Sequence, residues 1–400
     1  MTIQYPPESW QASTVADLCK MQNGYGFGPD DWDSKGLPII RIQNLNGGKV
    51  FDYFSGIPDP RWIVEPGQLL FSWAGTKGVS FGPFIWRGPR GVLNQHIFKV
   101  LAYDGVDIKW LYWALKDVTS RIEAQAHGFK ATLVHVKKSD IDRQQVLVPI
   151  EAEQRRIASV LATWDQAIIT SEKLLANALE QMEALGRKLF SAANNWEIRR
   201  LNELATRVQR KAIGGNYPVL MISSSIGFVR QDEKYSRFMA GKSVGNYTLL
   251  EKGEFAYNKG NSKRYEFGCV FPLEGVERGL VPHVYVCFKF NDSCSPQFFK
   301  HLFKSDYLRD QLGGIVNTGV RNNGLLNIRP NDFMGVSVPL PPIQDQYRIA
   351  SVLDSAEALV TAERVKLERL RLEKSTVMSI LLTGKRRFSL ASSPLAEAAS

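Results

Sequence analysis

Apolar residues recur at alternating steps of four and three along two stretches of this chain. From Ile157 the steps fall on Ile157, Leu161, Trp164, Ile168, Ser171, Leu175, Ala178, Met182, Leu185 and Leu189, nine of ten apolar. From Ile349 they fall on Ile349, Leu353, Ala356, Val360, Glu363, Leu367, Leu370, Lys374, Val377 and Leu381, eight of ten apolar. Each stretch is a coiled-coil seam of about five heptads. At about 1.5 Å per residue, some forty residues make a helix on the order of 60 Å long. No small domain can cover such a stripe, so the two stripes are expected to bury each other. Antiparallel pairing suits a chain whose intervening segments must carry it from one helix end back to the start of the next. Ser171, Glu363 and Lys374 interrupt the seam, and they either fix its register or are solvated slips in an imperfect coil.

The approach to each helix is also repeated. QRRIASVL from Gln154 returns as QYRIASVL from Gln346, seven identities in eight at an offset of 192 residues. Each copy follows a β-like segment that ends in proline, VLVP from Val146 and VSVP from Val336. A repeat of nearly half the chain marks a duplicated protein and not a solenoid. The segments before the two helices differ strongly, so the duplication kept a frame and varied its contents.

Segment 1–145 alternates short apolar runs with turn signals, which predicts a mostly β domain with a few helices, the clearest over Trp110 to Ala124. Segment 196–335 has the same style, with a helix expected from Pro296 to Gln311. Weak echoes align the two: LPIIRIQNLNGG at Leu37 with YPVLMISSSIG at Tyr217, and EPGQLLF at Glu65 with EKGEFAY at Glu251. Segments 146–195 and 336–384 carry the helices, and 385–400, a basic knot of Lys385, Arg386 and Arg387 followed by small residues, reads as a frayed tail. The fold class expected is α+β: two mixed α/β domains separated by two long helices that pair as an antiparallel coiled coil, with a pseudo-two-fold internal repeat.

Four hundred residues, 44% hydrophobic and 22% charged, suffice for two or three domains with cores of their own. Fifty Lys plus Arg against forty Asp plus Glu give a net charge of +10, which favours a polyanionic partner. Cys19, Cys269, Cys287 and Cys294 form no CxxC pair and no zinc-like spacing with histidine, as expected of reduced thiols. The opening MTIQYPPESW has no basic-then-apolar leader and no run approaches eighteen apolar residues, so a cytoplasmic protein without membrane contact is expected.

Catalytic motifs are missing. There is no GxxxxGK[ST] loop, GxSxG elbow, HExxH or dinucleotide fingerprint. Gly24, Gly26 and Gly28 precede no helix and read as a flexible turn. Asp33 with Lys35, and Asp107 with Lys109, are the only short matches to a metal-dependent nuclease, and neither follows a strand bearing a second acid. They read as surface charges. Glycine-rich loops that mix cations, amides and aromatics remain. The candidates for DNA contact are Trp73, Lys77, Gln95, His96, Lys130 and Thr132 in the first half, and Lys259, Asn261, Lys263, Arg264, His283, Arg321, Asn322 and Asn323 in the second. Cations suit phosphates and amides suit base edges, although any β domain turns on such loops.

VPLPPIQDQYRIASVLDSAEALV from Val338, with its earlier copy, resembles the conserved-region signature of the specificity subunits of type I restriction-modification enzymes. The resemblance spans the whole order of segments. It implies two target-recognition domains that each read one half of a bipartite target in double-stranded DNA, and helices that set the spacing and dock methyltransferase subunits and, through them, a restriction and translocation motor. It also implies that this chain binds no cofactor of its own, with S-adenosylmethionine, ATP and Mg2+ held by partner subunits. Pro149, Glu153, Gln154, Arg156 and Ile157 match Pro341, Asp345, Gln346, Arg348 and Ile349 as the conserved docking region. The first copy departs from the pattern: PIEAEQ lacks the double proline of PLPPIQDQ. The alternative is the recognition subunit of a type IIB-like bifunctional nuclease-methyltransferase.

Overall fold

The structure is a computed structural model that describes residues 7–125, 133–191, 196–212, 214, 216–234, 245–316 and 326–388. It divides into two compact units, Met1–Ser171 with Lys366–Ser400, and Glu172–Val365. Each unit therefore takes part of both long helices, Glu151–Phe190 and Ile343–Leu382.

In the first unit a four-stranded antiparallel sheet runs in the order Cys19–Asn23, Ile97–Ala102, Leu69–Ser72, Gly82–Ile85. Leu69–Ser72 is buried at every position instead of alternating, because both of its faces are covered. Leu69 and Phe71 join the core formed with the helix Ile108–Gln125, whereas Leu70 packs with Ile40, Val64 and Leu93 of a second layer. In that layer Leu37–Ile40 runs parallel to Gly91–Leu93, which also pairs with Ile63–Val64. A separate ribbon joins Gln11–Thr14 to Gln145–Val148 and delivers the chain to the first long helix.

The second unit repeats this plan on different residues. Its sheet runs Ala205–Arg207, Val286–Phe290, Phe255–Asn258, Cys269–Pro272, and its ribbon joins Glu197–Arg200 to Ser337–Leu340. The parallel pairing of the second layer survives as a bridge from Val219 to Leu280. The echo between Glu65 and Glu251 thus falls on strands in the same place, Leu69–Ser72 and Phe255–Asn258. Phe255 and Tyr257 face a core dense in aromatics, where Phe255 stacks on Phe288 at 5.5 Å and Tyr257 lies flat on Phe333 at 4.1 Å. The helix expected to Gln311 ends at Lys304 and a second one runs Arg309–Ile315. The chain leaves the first through Asp306, whose φ of +61° lies outside helical space.

All twenty seam positions of the long helices are at least partly buried. In the first unit Ile157, Ala158 and Leu161 share a core with Leu381 and Leu382; in the second, Leu185 and Leu189 pack with Ile349, Ala350 and Leu353. Of the residues that interrupt the seam, Lys374 pairs with Asp165 and lies 4.6 Å above the Trp113 ring, Ser171 is buried, and Glu363 is partly buried. Lys374 is therefore a polar contact built into the seam and not a solvated slip.

Each long helix is fastened to its domain by one glutamine. Gln154 accepts from the Asp107 amide at 2.8 Å and donates to the carbonyls of Gly105 and Pro149 at 3.2 and 2.9 Å. Gln346 accepts from the Ser295 amide at 2.7 Å and donates to the carbonyls of Ser293 and Pro341 at 3.2 and 2.9 Å. Asp107 and Ser295 in turn cap the helices that cover the two sheets, through bonds from Trp110 and Phe298 amides. Because both glutamines are almost fully buried, truncation strands a backbone amide and the buried carbonyl of Pro149 or Pro341. Gln154→Ala or Gln346→Ala should each cost about 2 to 4 kcal/mol. Equal urea midpoints for wild type and either variant would show that the clasp contributes nothing.

Candidate nucleic-acid interface

The register of the central strand pair brings distant loops together in each unit. Ser72 stands opposite Ile97, so the chain after the one strand, from Trp73, meets the chain before the other, Gln95 and His96. Trp73 donates its backbone N–H to the His96 carbonyl at 3.3 Å and its indole N–H to the Gln95 carbonyl at 3.1 Å. Its ring lies edge-on to His96 at 5.1 Å and to His135 at 4.7 Å. Gln95 is exposed, and His96 Nδ1 is buried with no hydrogen-bond partner among the described residues. In the second unit Tyr257 opposite Val286 sets Lys259, Asn261, Lys263 and Arg264 after the corresponding strand, and His283 before its neighbour.

These residues are not equally available. Lys77 is exposed but its amine donates to the Glu123 carbonyl at 2.8 Å, while the Gly78 amide donates to the Glu123 carboxylate at 2.7 Å. Lys259 donates to the Ile328 carbonyl at 2.5 Å, and its own carbonyl accepts from Leu326. Asn261, Lys263, Arg264 and His283 are exposed, with Arg264 over the Tyr265 ring at 5.5 Å. Lys130, Thr132, Arg321, Asn322 and Asn323 lie outside the described residues.

A loop expected to be a flexible turn proves to be wedged. A Cβ on Gly24 would stand 2.2 Å from the Leu93 carbonyl, and one on Gly26 2.4 Å from Gln95 Oε1. Between them Tyr25, 41% exposed, stacks on Trp62 at 4.3 Å. The GYG pattern was the available signal, but only the fold places it against Gln95. Asp107, weighed as a nuclease acid, is occupied as a cap. The four cysteines are buried and unpaired, and burial pushes the Cys19, Cys269 and Cys287 thiols up to about 12.

The repeated phrase also divides by exposure. Pro149, Glu153, Gln154, Ile157, Pro341, Gln346 and Ile349 are buried, so these side chains have no surface to offer a partner; they hold each helix on its own domain. Arg156 and Arg348 are exposed, with Arg348 2.9 Å from the half-exposed Asp345. Next to them each unit has a cleft between its capped helix and its long helix. The first, of about 1330 Å3, includes Lys109, Arg155, Ala158, Ser159 and Thr163. The second, of about 510 Å3, includes Gln297, Tyr347, Ala350, Ser351 and Ser355, so the long-helix residues of the two clefts match at the repeat offset. Beside the second cleft His301 meets Asp354 at 2.8 Å; burial holds the imidazole below its usual value.

Residues 7–181 match the family described as type I restriction modification DNA specificity domain. The chain is 22% identical to the MjaVIII specificity subunit of Methanocaldococcus jannaschii, over 95% of this chain and 94% of that one. It is 24% identical to the EcoKI specificity subunit of Escherichia coli, over 86% and 81%. The fold is like that of the type I restriction-modification S subunit of M. genitalium, with a TM-score of 0.57 at 16% identity, covering 95% and 98% of the two chains. The match falls on a chain of two duplicated domains, each with polar loops gathered at one sheet end. The chain is thus similar in sequence, and in fold, to specificity subunits of type I restriction-modification systems.

Lys263 and Arg264 have no hydrogen bond or ion pair holding them to a carboxylate among the described residues, whereas Lys259 supports the loop. Lys263→Gln with Arg264→Gln should weaken DNA binding by the assembled protein and reduce the slope of log affinity against log salt by about 1.8, near 0.9 for each phosphate no longer neutralised. An unchanged slope would remove this loop from the interface.

Proposed function

We propose that this chain is the sequence-reading subunit of a type I restriction-modification complex, in which each unit reads one half of a split target in double-stranded DNA. The carrying observation is that in both units the register of the same strand pair joins two sequence-distant polar loops at one sheet end. Reading sites on rigid strands hold cations for phosphates and amides or imidazoles for base edges. The duplicated topology with unlike loops suits two unlike half-words.

The long helices run as an antiparallel coiled coil and serve as the ruler between the half-words. The contacts that support this are those of the start of each helix with the end of the other. The two clefts carry the same Ala-Ser step, Ala158–Ser159 and Ala350–Ser351, which suits two copies of one partner, a methyltransferase subunit. Arg156 and Arg348 border those places. S-adenosylmethionine, ATP and Mg2+ belong on the partners, and a restriction and motor subunit joins through the methyltransferase.

Four residues inserted after Ala178 keep the apolar stripe nearly in phase and add about 6 Å, close to two base pairs of rise. With its partners the insertion variant should methylate the same two half-words across a longer gap, read by methylome sequencing. Methylation across the original gap would mean that the helices are not the ruler.

A further inference from the structure

The second long helix ends at Leu382, and Gly384, at φ +67°, turns the chain back over the first domain. A Cβ on Gly384 would lie 2.4 Å from Pro7 Cγ and 3.3 Å from the Trp10 ring. Lys385 to Phe388 were expected to begin a frayed tail, but the segment is anchored. The Arg387 guanidinium forks onto Glu153, Nε to Oε1 at 3.2 Å and a terminal nitrogen to Oε2 at 3.0 Å. It also donates to the Glu8 carbonyl at 2.8 Å and to Ser9 Oγ at 3.1 Å. Trp10 completes the set with an indole N–H to Glu153 Oε2 at 2.9 Å. Phe388 lies under Arg156, with the guanidinium 4.9 Å from its ring centroid.

Glu153 is 1% exposed, so its charge depends on these donors; a carboxylate left there without its counter-charge is strongly unfavourable. The corresponding junction of the second unit is built otherwise. Asp345 keeps 38% of its side chain exposed and pairs with Arg348 of its own helical turn. There Phe190 at the end of the first long helix and Trp196 both pack edge-on to Phe298, at 5.9 and 6.0 Å. Trp10 and Trp196 hold matching places, each one residue before its ribbon strand. Where the second unit joins helix end and tryptophan through residues close in sequence, the first has contacts between residues up to 379 apart.

We propose that Arg387 is a positioning residue for DNA reading: through Glu153 and Trp10 it joins the end of the second long helix to the first recognition domain and so fixes where that domain presents its loops. The proposal rests on the reading of each unit as a half-site reader. It is tested on the full chain assembled with its methyltransferase subunits, using Arg387→Ala, Arg387→Lys and Arg387→Ala with Glu153→Gln. Affinity is measured for the target and for duplexes with either half-word scrambled, and amide hydrogen exchange is followed at Trp10 and Gly384. Arg387→Ala should lose about tenfold of the discrimination at one half-word, keep the other within about twofold, and exchange faster at both amides. Arg387→Lys, which keeps charge but not the fork, should lose less. The double variant should recover most of the loss, since a neutral amide needs no counter-charge and still accepts from Trp10. Equal losses at both half-words, or faster exchange with both words read as before, would overturn the positioning role. Should Arg387→Ala fail to fold, an Arg387→Lys complex identical to wild type in discrimination and exchange overturns it as well. A wild-type complex indifferent to both half-words would remove the half-site reading itself.

Discussion

The structure depends on the buried amide that fastens each long helix to its domain. A forty-residue amphipathic helix has no reason to stop at one orientation against a globular neighbour, because apolar contact is non-directional. Gln154 and Gln346 supply the direction. Each satisfies one amide and two carbonyls at the point where the helix begins, and each reaches the N-cap of the helix that covers the sheet. Cap, sheet and long helix are thereby set with respect to one another by hydrogen bonds that tolerate little displacement. The sequence phrase that repeats almost unchanged is the one that carries this junction.

Around this constant junction the two units use different chemistry for the same topology. The first buries Trp110 of its covering helix with Leu69 and Phe71 of the sheet, while the second fills the corresponding space with stacked phenylalanines. The electrostatics vary in the same way. In the first unit Lys374 meets Asp165 over the Trp113 ring; in the second Lys304 meets Glu357 and His301 meets Asp354. A frame held by a few directional bonds permits such replacement, since a core of the right volume and pattern can be rebuilt from many residues. That freedom lets the polar loops differ while their placement stays fixed.

The loops themselves show why residue type alone identifies binding residues poorly. Lys259 and Lys77 look alike in sequence to Lys263, yet both amines are taken up by backbone carbonyls. Tyr25, which no sequence motif singled out, stands exposed on a wedged loop beside Gln95. The difference lies in contacts between segments tens of residues apart.

The local pattern of the chain determined the two long helices, their seam, the duplicated frame and the resemblance to specificity subunits, because helical periodicity and a repeated phrase are properties of neighbouring residues. It also marked a few strands of the first half, among them Leu37–Ile40, Leu69–Ser72 and Gln145–Val148. The break after Lys304, the burial of Glu153 and of the repeated Gln and Ile, and the anchoring of Arg387 on Glu153 were decided by tertiary structure alone. The burial and the anchoring depend on partners far along the chain: Glu153 meets Arg387 across 234 residues, and Gln346 reaches Ser295 across 51. A charged or amide side chain reads as surface until its partners are known, and only folding brings those partners within hydrogen-bond distance.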